Sequence, residues 1–170
     1  MTKWYQHSFR RNLVDMHITD WDQRFLSEFD PAKYVETVCS AQPDAAMVYA
    51  HSHVGNCYYP SQVGHQHASL HGRDIFGEVV DGFHRRGLAV IAYFSLIYDD
   101  YSYRRNPDWR MVLANGEGAA EHSRYGICCP NSPYRTYAVE HVRELCSRYS
   151  FEGIFLDMTF WPVVCYCPHC

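Results

Sequence analysis

The chain contains no run of about 18 consecutive apolar residues, so it offers no candidate membrane-spanning helix. Its opening residues, Met1-Thr2-Lys3-Trp4-Tyr5-Gln6-His7, lack the apolar core of a secretory signal. A basic stripe is missing too: the formal charge of -4 arises from interspersed acids and bases, which argues against nucleic acid as a partner. No Gly-x-Gly-x-x-Gly follows the first strand candidate, so a dinucleotide-binding sheet is not indicated. Neither an internal repeat nor a low-complexity linker divides the chain. These absences predict a soluble, cytoplasmic protein with no membrane or nucleic-acid partner and no organic cofactor. At 170 residues the chain also falls short of the ~250 typical of a complete eight-stranded barrel.

What is present is unusual in a different way. Eleven histidines and a 16% aromatic share supply polar donors and flat apolar faces, a combination suited to a flat polar organic ligand such as a sugar. Eight cysteines in a chain of this size without a secretory signal point to reduced thiols and metal binding, with loop disulfides as the alternative.

Four apolar runs read as strands: Leu13 to Met16, Ala45 to Ala50, Leu88 to Leu96 and Gly153 to Leu156. Three stretches of helical spacing lie between them. The first runs from Pro31 to Ala41, with Asp30 as N-cap, and the second from Asp74 to Arg86, stopped by Gly87. The third starts at Pro133 after Ser132 and carries Tyr134, Tyr137, Ala138, His141, Val142, Leu145, Cys146 and Tyr149 on one stripe. Alternation of this kind predicts parallel strands with crossover helices. Helix-to-strand links are short, whereas the links leaving strands are long (His51 to His71, Tyr98 to Asn131), so the elaboration gathers at the carboxyl end of the sheet. The expected fold class is therefore α/β: about four β/α units, the N-terminal half of a TIM-type (β/α)8 barrel, with residues 1–170 forming one partial domain that stops short at its C-terminus.

Every predicted strand hands over to polar groups at that end. His17, Asp20 and Asp22 follow the first, His51 and His53 the second, Tyr98 to Asp100 the third, and Asp157 the fourth. Convergence at one rim predicts a ligand pocket.

The runs His51-Ser52-His53-Val54-Gly55, Tyr59-Pro60-Ser61, Arg73-Asp74-Ile75-Phe76-Gly77-Glu78, Arg86-Gly87-Leu88 and Tyr93-Phe94-Ser95-Leu96 resemble the opening strands of family 29 α-L-fucosidases. Gly153 to Asp157 is similar to the fucosidase strand that bears the nucleophilic aspartate, and His17 lies where that family has a first-strand histidine lining the sugar pocket. Two departures are visible: His51 and His53 are separated by Ser52 rather than adjacent, and Met158 stands where glycine is usual. Over nearly its full length the chain most resembles the family named hypothetical glycosyl hydrolase 6. The resemblance implies a glycosidase acting on a carbohydrate substrate, with Asp157 as nucleophile. His17, His51 and His53 are then expected to donate to sugar hydroxyls, Tyr93 to line the pocket, and Trp21, Tyr58, Tyr59 and Trp161 to supply stacking faces.

A retaining glycosidase needs a second carboxyl about 5 to 5.5 Å from the first. Asp20, Asp22, Asp99, Asp100, Glu117 and Glu121 are loop candidates, and the acid/base is expected on later strands beyond Cys170. A second resemblance concerns the thiols. Cys129-Pro130-Asn131-Ser132-Pro133-Tyr134-Arg135 and Cys165-Tyr166-Cys167-Pro168-His169-Cys170 look like the zinc-binding pieces of family 42 β-galactosidases, although that family's strand-four Asn-Glu pair is absent. It implies a structural zinc on Cys129, Cys165, Cys167 and Cys170, with Cys128 as rival to Cys129. Two other readings stay open. One is a metal-dependent hydrolase of amidohydrolase type using His51-x-His53 and His65-x-His67. The other is a non-catalytic carbohydrate-binding fragment, in which unpaired outer strands would favour a homo-oligomer.

Overall fold

The computed structural model describes residues 3–122 and 124–170. Its regular elements are β1 (Arg11–Leu13), α1 (Pro31–Ser40), β2 (Ala45–His51), β3 (Asn56–Cys57), β4 (His65–Gln66), α2 (Ile75–Arg85), β5 (Ala89–Ser95), α3 (Asp100–Arg105), α4 (Tyr134–Arg148) and β6 (Gly153–Asp157). β1, β2, β5 and β6 pair in chain order and all in parallel, so each crossover returns to the adjacent position in the sheet. The short β3 runs antiparallel to the end of β2, and β4 pairs with β3.

Local chemistry sets the helix boundaries. The Asp30 carboxylate accepts from the Ala32 and Lys33 amides ahead of α1, with Pro31 in the first helical position. Asp74 accepts from the Gly77 amide to start α2, and Gly87, at φ +73, carries the chain out of it. Before α4, Ser132 Oγ accepts from the Tyr134 amide and donates to the Cys129 carbonyl, so the helix begins one residue later than Pro133.

Three features depart from the sequence expectations. β1 lies at Arg11–Leu13 rather than Leu13 to Met16, because the same edge of β2 is taken at its far end by β3 and the residue after it, with Cys57 paired to His51 and the Tyr58 amide donating to the Ala50 carbonyl. β3 and β4 are too short to show a period. α3, inside what reads as loop, is only six residues long and is held by Asp99, whose carboxylate accepts from the Ser102 amide.

The core lies between one sheet face and the helices. Val48, Ala50, Val90, Ala92 and Phe94 meet Val35 and Val38 of α1, Leu145 of α4, and Ile75, Phe76, Val79, Val80 and Phe83 of α2. The α2 residues recur at the three- and four-residue spacing of one helical stripe. On the opposite face, register aligns Met47 with Ile91 and Gly153, and Tyr49 with Tyr93 and Phe155. Among the described residues no helix is long and apolar enough to cross a membrane. Phe83 is completely buried between α1, α2 and the sheet. Phe83→Ala should lower the unfolding free energy by about 3 to 5 kcal/mol, the range for emptying such a site, as measured by urea denaturation.

Candidate active site and cysteine cluster

Alternation along β5 and β6 places Tyr93 and Asp157 where they can meet. The Tyr93 hydroxyl donates to Asp157 Oδ2 at 2.5 Å, and the Met158 amide donates to Oδ1 at 2.8 Å. Met158 achieves this with φ +56, a left-handed conformation costing an L residue about 1 kcal/mol relative to glycine. The turn that glycine would make without strain is thus made here by methionine, with its own amide folded back on the carboxylate.

His53 and His17 complete the cluster. His53 Nε2 stands 3.7 Å from Asp157 Oδ2, and its Nδ1 lies 2.6 Å from Ser95 Oγ. The His17 ring stacks on His53, with centroids 3.9 Å apart. His17 Nδ1 accepts from the His53 amide at 3.0 Å, and its Nε2 lies 3.2 Å from the Tyr49 hydroxyl, which donates to Asp15 Oδ1. Tyr125 packs near both rings. Burial lowers the pKa of His17 and brings that of His53 down to about 4, so both are neutral near pH 7. Burial, reinforced by the bond to Asp157, raises the Tyr93 hydroxyl far above its ordinary value, which keeps its proton in place as a donor.

Of the site residues expected from sequence, Asp157, His17, His53 and Tyr93 come together, and five do not. His51 is fully buried on the other sheet face, with its ring against Phe94 and the His141 of α4, and Nδ1 donating to the Ser95 carbonyl. The cause is a register shift in β2: Tyr49 pairs with Tyr93, but His51 pairs with Phe94, so one extra residue turns His51 toward the helices. Tyr59 is buried in the core against Phe76 and Tyr149, where it offers no face to a ligand. Trp161 is exposed after β6, and among the described residues no hydrogen bond or ring contact joins it to the cluster. The other two stacking candidates also lie elsewhere: Tyr58 is buried and donates to the Met16 carbonyl, and the exposed Trp21 packs on Phe25.

The loop acids are otherwise engaged. Asp20 pairs with His65 at 2.6 Å, Asp22 with Arg24, and Asp100 with Arg104, while Asp99 caps α3 and Glu117 accepts from Asn115. The Glu121 side chain lies outside the described residues. Sequence reasoning missed Asp15, Tyr49 and Ser95. Their signal was the period-two alternation, since Asp15 precedes His17 by two positions and Ser95 follows Tyr93 by two.

The thiols of Cys129, Cys165, Cys167 and Cys170 lie within 4.8 Å of one another, with Cys129 to Cys170 at 3.4 Å and Cys167 to Cys170 at 3.8 Å. A tetrahedral site with Zn–S bonds of about 2.3 Å has sulfur–sulfur edges of about 3.8 Å, so the donor set fits a structural zinc. Asn131 Nδ2 donates to Cys170 Sγ at 3.3 Å, the kind of outer hydrogen bond that supports a thiolate ligand. Cys128 faces away, its thiol toward the Asp99 carbonyl. His51-x-His53 forms no such set, because the two rings occupy opposite faces of the sheet.

The neutral histidines make stability depend on pH. Unfolding restores an ordinary affinity for protons, so the contribution of His53 is fully present above pH ~6.5 and is lost as the pH falls through about 4. Urea unfolding should show stability declining across that window by roughly 1.4 kcal/mol per pH unit from His53, and His53→Asn should flatten the slope by that amount.

The family model for hypothetical glycosyl hydrolase 6 matches residues 30–158. No curated protein sequence matches the chain. Among solved structures, the chain is similar to α-L-fucosidase isoenzyme 2 from Paenibacillus thiaminolyticus, at 26% identity and a TM-score of 0.86 over 96% of this chain and 25% of that one. A family 29 α-L-fucosidase from Bacteroides thetaiotaomicron matches at 24% identity and a TM-score of 0.54, covering 77% of this chain and 27% of that one. The Thermotoga maritima α-fucosidase in complex with fucose matches at 20% and 0.57, covering 79% and 30%. The chain thus spans about a quarter of the length of the first of these structures. Since the family model matches well over half of the chain, including His53, Tyr93, Asp157 and most of the sheet beneath them, this chain belongs to the hypothetical glycosyl hydrolase 6 family.

Proposed function

We propose that the chain forms the first four β/α units of a TIM-type barrel in a cytoplasmic glycoside hydrolase, α-L-fucosidase-like or β-galactosidase-like, that retains configuration with Asp157 as nucleophile. The observation that carries this reading is the Asp157 carboxylate itself. It ends a parallel strand at the rim where all the long connections gather, and two donors, Tyr93 and the Met158 amide, hold it in one orientation beside His53. A nucleophile so oriented can attack an anomeric carbon to form a glycosyl ester.

The half-barrel reading has separate support. The parallel strands follow chain order, and β6 has no outer strand partner among the described residues. Ile154, Phe155 and Leu156 on that strand are 36 to 42% exposed, apolar surface that further strands and helices of a barrel would cover. The acid/base belongs on those later strands, because the described loop acids are already paired or capping. The four-thiol cluster is assigned to a structural zinc that pins the segment after β6 to the loop before α4, and the eight unpaired cysteines suit a reducing cytoplasm.

Asp157→Asn, introduced into the full-length protein, should cut turnover of aryl glycosides on the order of a thousandfold, about 4 kcal/mol of transition-state stabilisation. Unchanged turnover on every substrate of an aryl α-L-fucoside and β-D-galactoside panel would remove the assignment. Elemental analysis of the purified protein should find one zinc per chain, lost in Cys129→Ser together with thermal stability but retained in Cys128→Ser. Zinc that survives Cys129→Ser would argue for different ligands.

A further inference from the structure

Ser95 ends β5 and is fully buried. Its hydroxyl lies 2.6 Å from His53 Nδ1 and 2.6 Å from the Tyr98 carbonyl oxygen. A hydroxyl has one proton, and a carbonyl oxygen can only accept. The Ser95 proton therefore goes to Tyr98, and Ser95 Oγ accepts from His53 Nδ1–H. In the neutral ring this leaves Nε2 unprotonated. Nε2 lies 3.5 Å from the Tyr93 hydroxyl, but that proton is committed to Asp157 at 2.5 Å. No other hydrogen-bond donor contacts Nε2 among the described residues. The His53 nitrogen, the Tyr93 oxygen and Asp157 Oδ2 thus form a group of acceptors around one point, and that point calls for a donor.

His17 has the opposite tautomer. Its Nδ1 accepts the His53 amide, so its proton sits on Nε2 and is given to the Tyr49 oxygen, while the Tyr49 proton goes to Asp15. Both His17 nitrogens are spent within the protein. The three histidines expected to donate to a ligand reduce to one, and that one accepts.

We infer that Ser95 is a positioning residue that fixes His53 in the Nδ1–H tautomer, so that the pocket beside Asp157 recognises a hydrogen-bond-donating hydroxyl of its ligand. The ligand half of this inference rests on the carbohydrate reading above. The tautomer half does not.

The two halves can be read separately. Long-range proton–nitrogen NMR on the full chain, labelled at histidine and assigned with His53→Asn and His17→Asn, should show a protonated Nδ1 and bare Nε2 for His53, and the reverse for His17. A protonated Nε2 on wild-type His53 would overturn the proposal without any variant. Ser95→Ala should move the His53 proton toward Nε2, and Ser95→Thr, which keeps the hydroxyl, should restore it to Nδ1. An unchanged tautomer in Ser95→Ala would also overturn it. Binding of L-fucose and D-galactose is then compared with that of their monodeoxyfluoro analogues, since fluorine cannot donate. For one position of the ring the wild type should bind the fluoro analogue about tenfold more weakly, and Ser95→Ala should lose that discrimination. Equal binding of all fluoro analogues refutes hydroxyl recognition. If neither sugar binds at all, the carbohydrate reading and the recognition half fall together, while the NMR result still decides the role of Ser95.

Discussion

Ser95 pairs with Asp157 across β5 and β6, and the whole candidate site depends on that register. Because side chains alternate along a strand, the same alignment that opposes Tyr93 to Phe155 brings the Tyr93 hydroxyl up to the Asp157 carboxylate. A slip of one residue would send Tyr93 into the helix-facing core and Phe94 to the rim. Burial of Phe94 against His51 and His141 on the opposite face opposes such a slip. The hydrophobic core and the polar rim are thus two consequences of one pairing.

The irregularity in β2 works against that regularity and is equally consequential. One extra residue between Tyr49 and His51 turns His51 inward and leaves His53, two positions later, to reach the Asp157 carboxylate. His51 is then part of a buried polar layer behind the sheet. Its Nε2 lies 3.8 Å from Asp99, while the His141 ring packs against it and meets the Cys57 thiol at 3.1 Å. Desolvation lowers the pKa of both rings and keeps them neutral near pH 7, while the Asp99 carboxylate accepts from the Ser102 amide and the Tyr134 hydroxyl donates to the Leu96 carbonyl. This layer connects α4 and the loop after β5 to the sheet. The cysteine cluster is built on the same loop, beginning at Cys129 beside the Ser132 turn that starts α4.

Much of this was open to reading from residue order. The capping aspartates, the stripe on α2 and the apolar runs of β2, β5 and β6 carry strong local signals, and the structure places those elements within a residue or two of expectation. The short elements were not readable, since β3, β4 and α3 show too few residues for any period. Among the candidate ligands, His51 and Tyr59 were misplaced because sequence spacing counts residues and cannot register a bulge or tell which ring the core will claim.

The sequence by itself determined the alternating α/β plan, the delivery of Asp157 at a strand end and the grouping of three thiols near it, because these follow from periodicity and chain connectivity. Tertiary structure decided which histidine faces Asp157, which polar groups surround it and which cysteine joins the other three. Those outcomes turn on strand register, burial and the direction of single hydrogen bonds between residues tens of positions apart, and such contacts exist only once the sheet has closed against its helices.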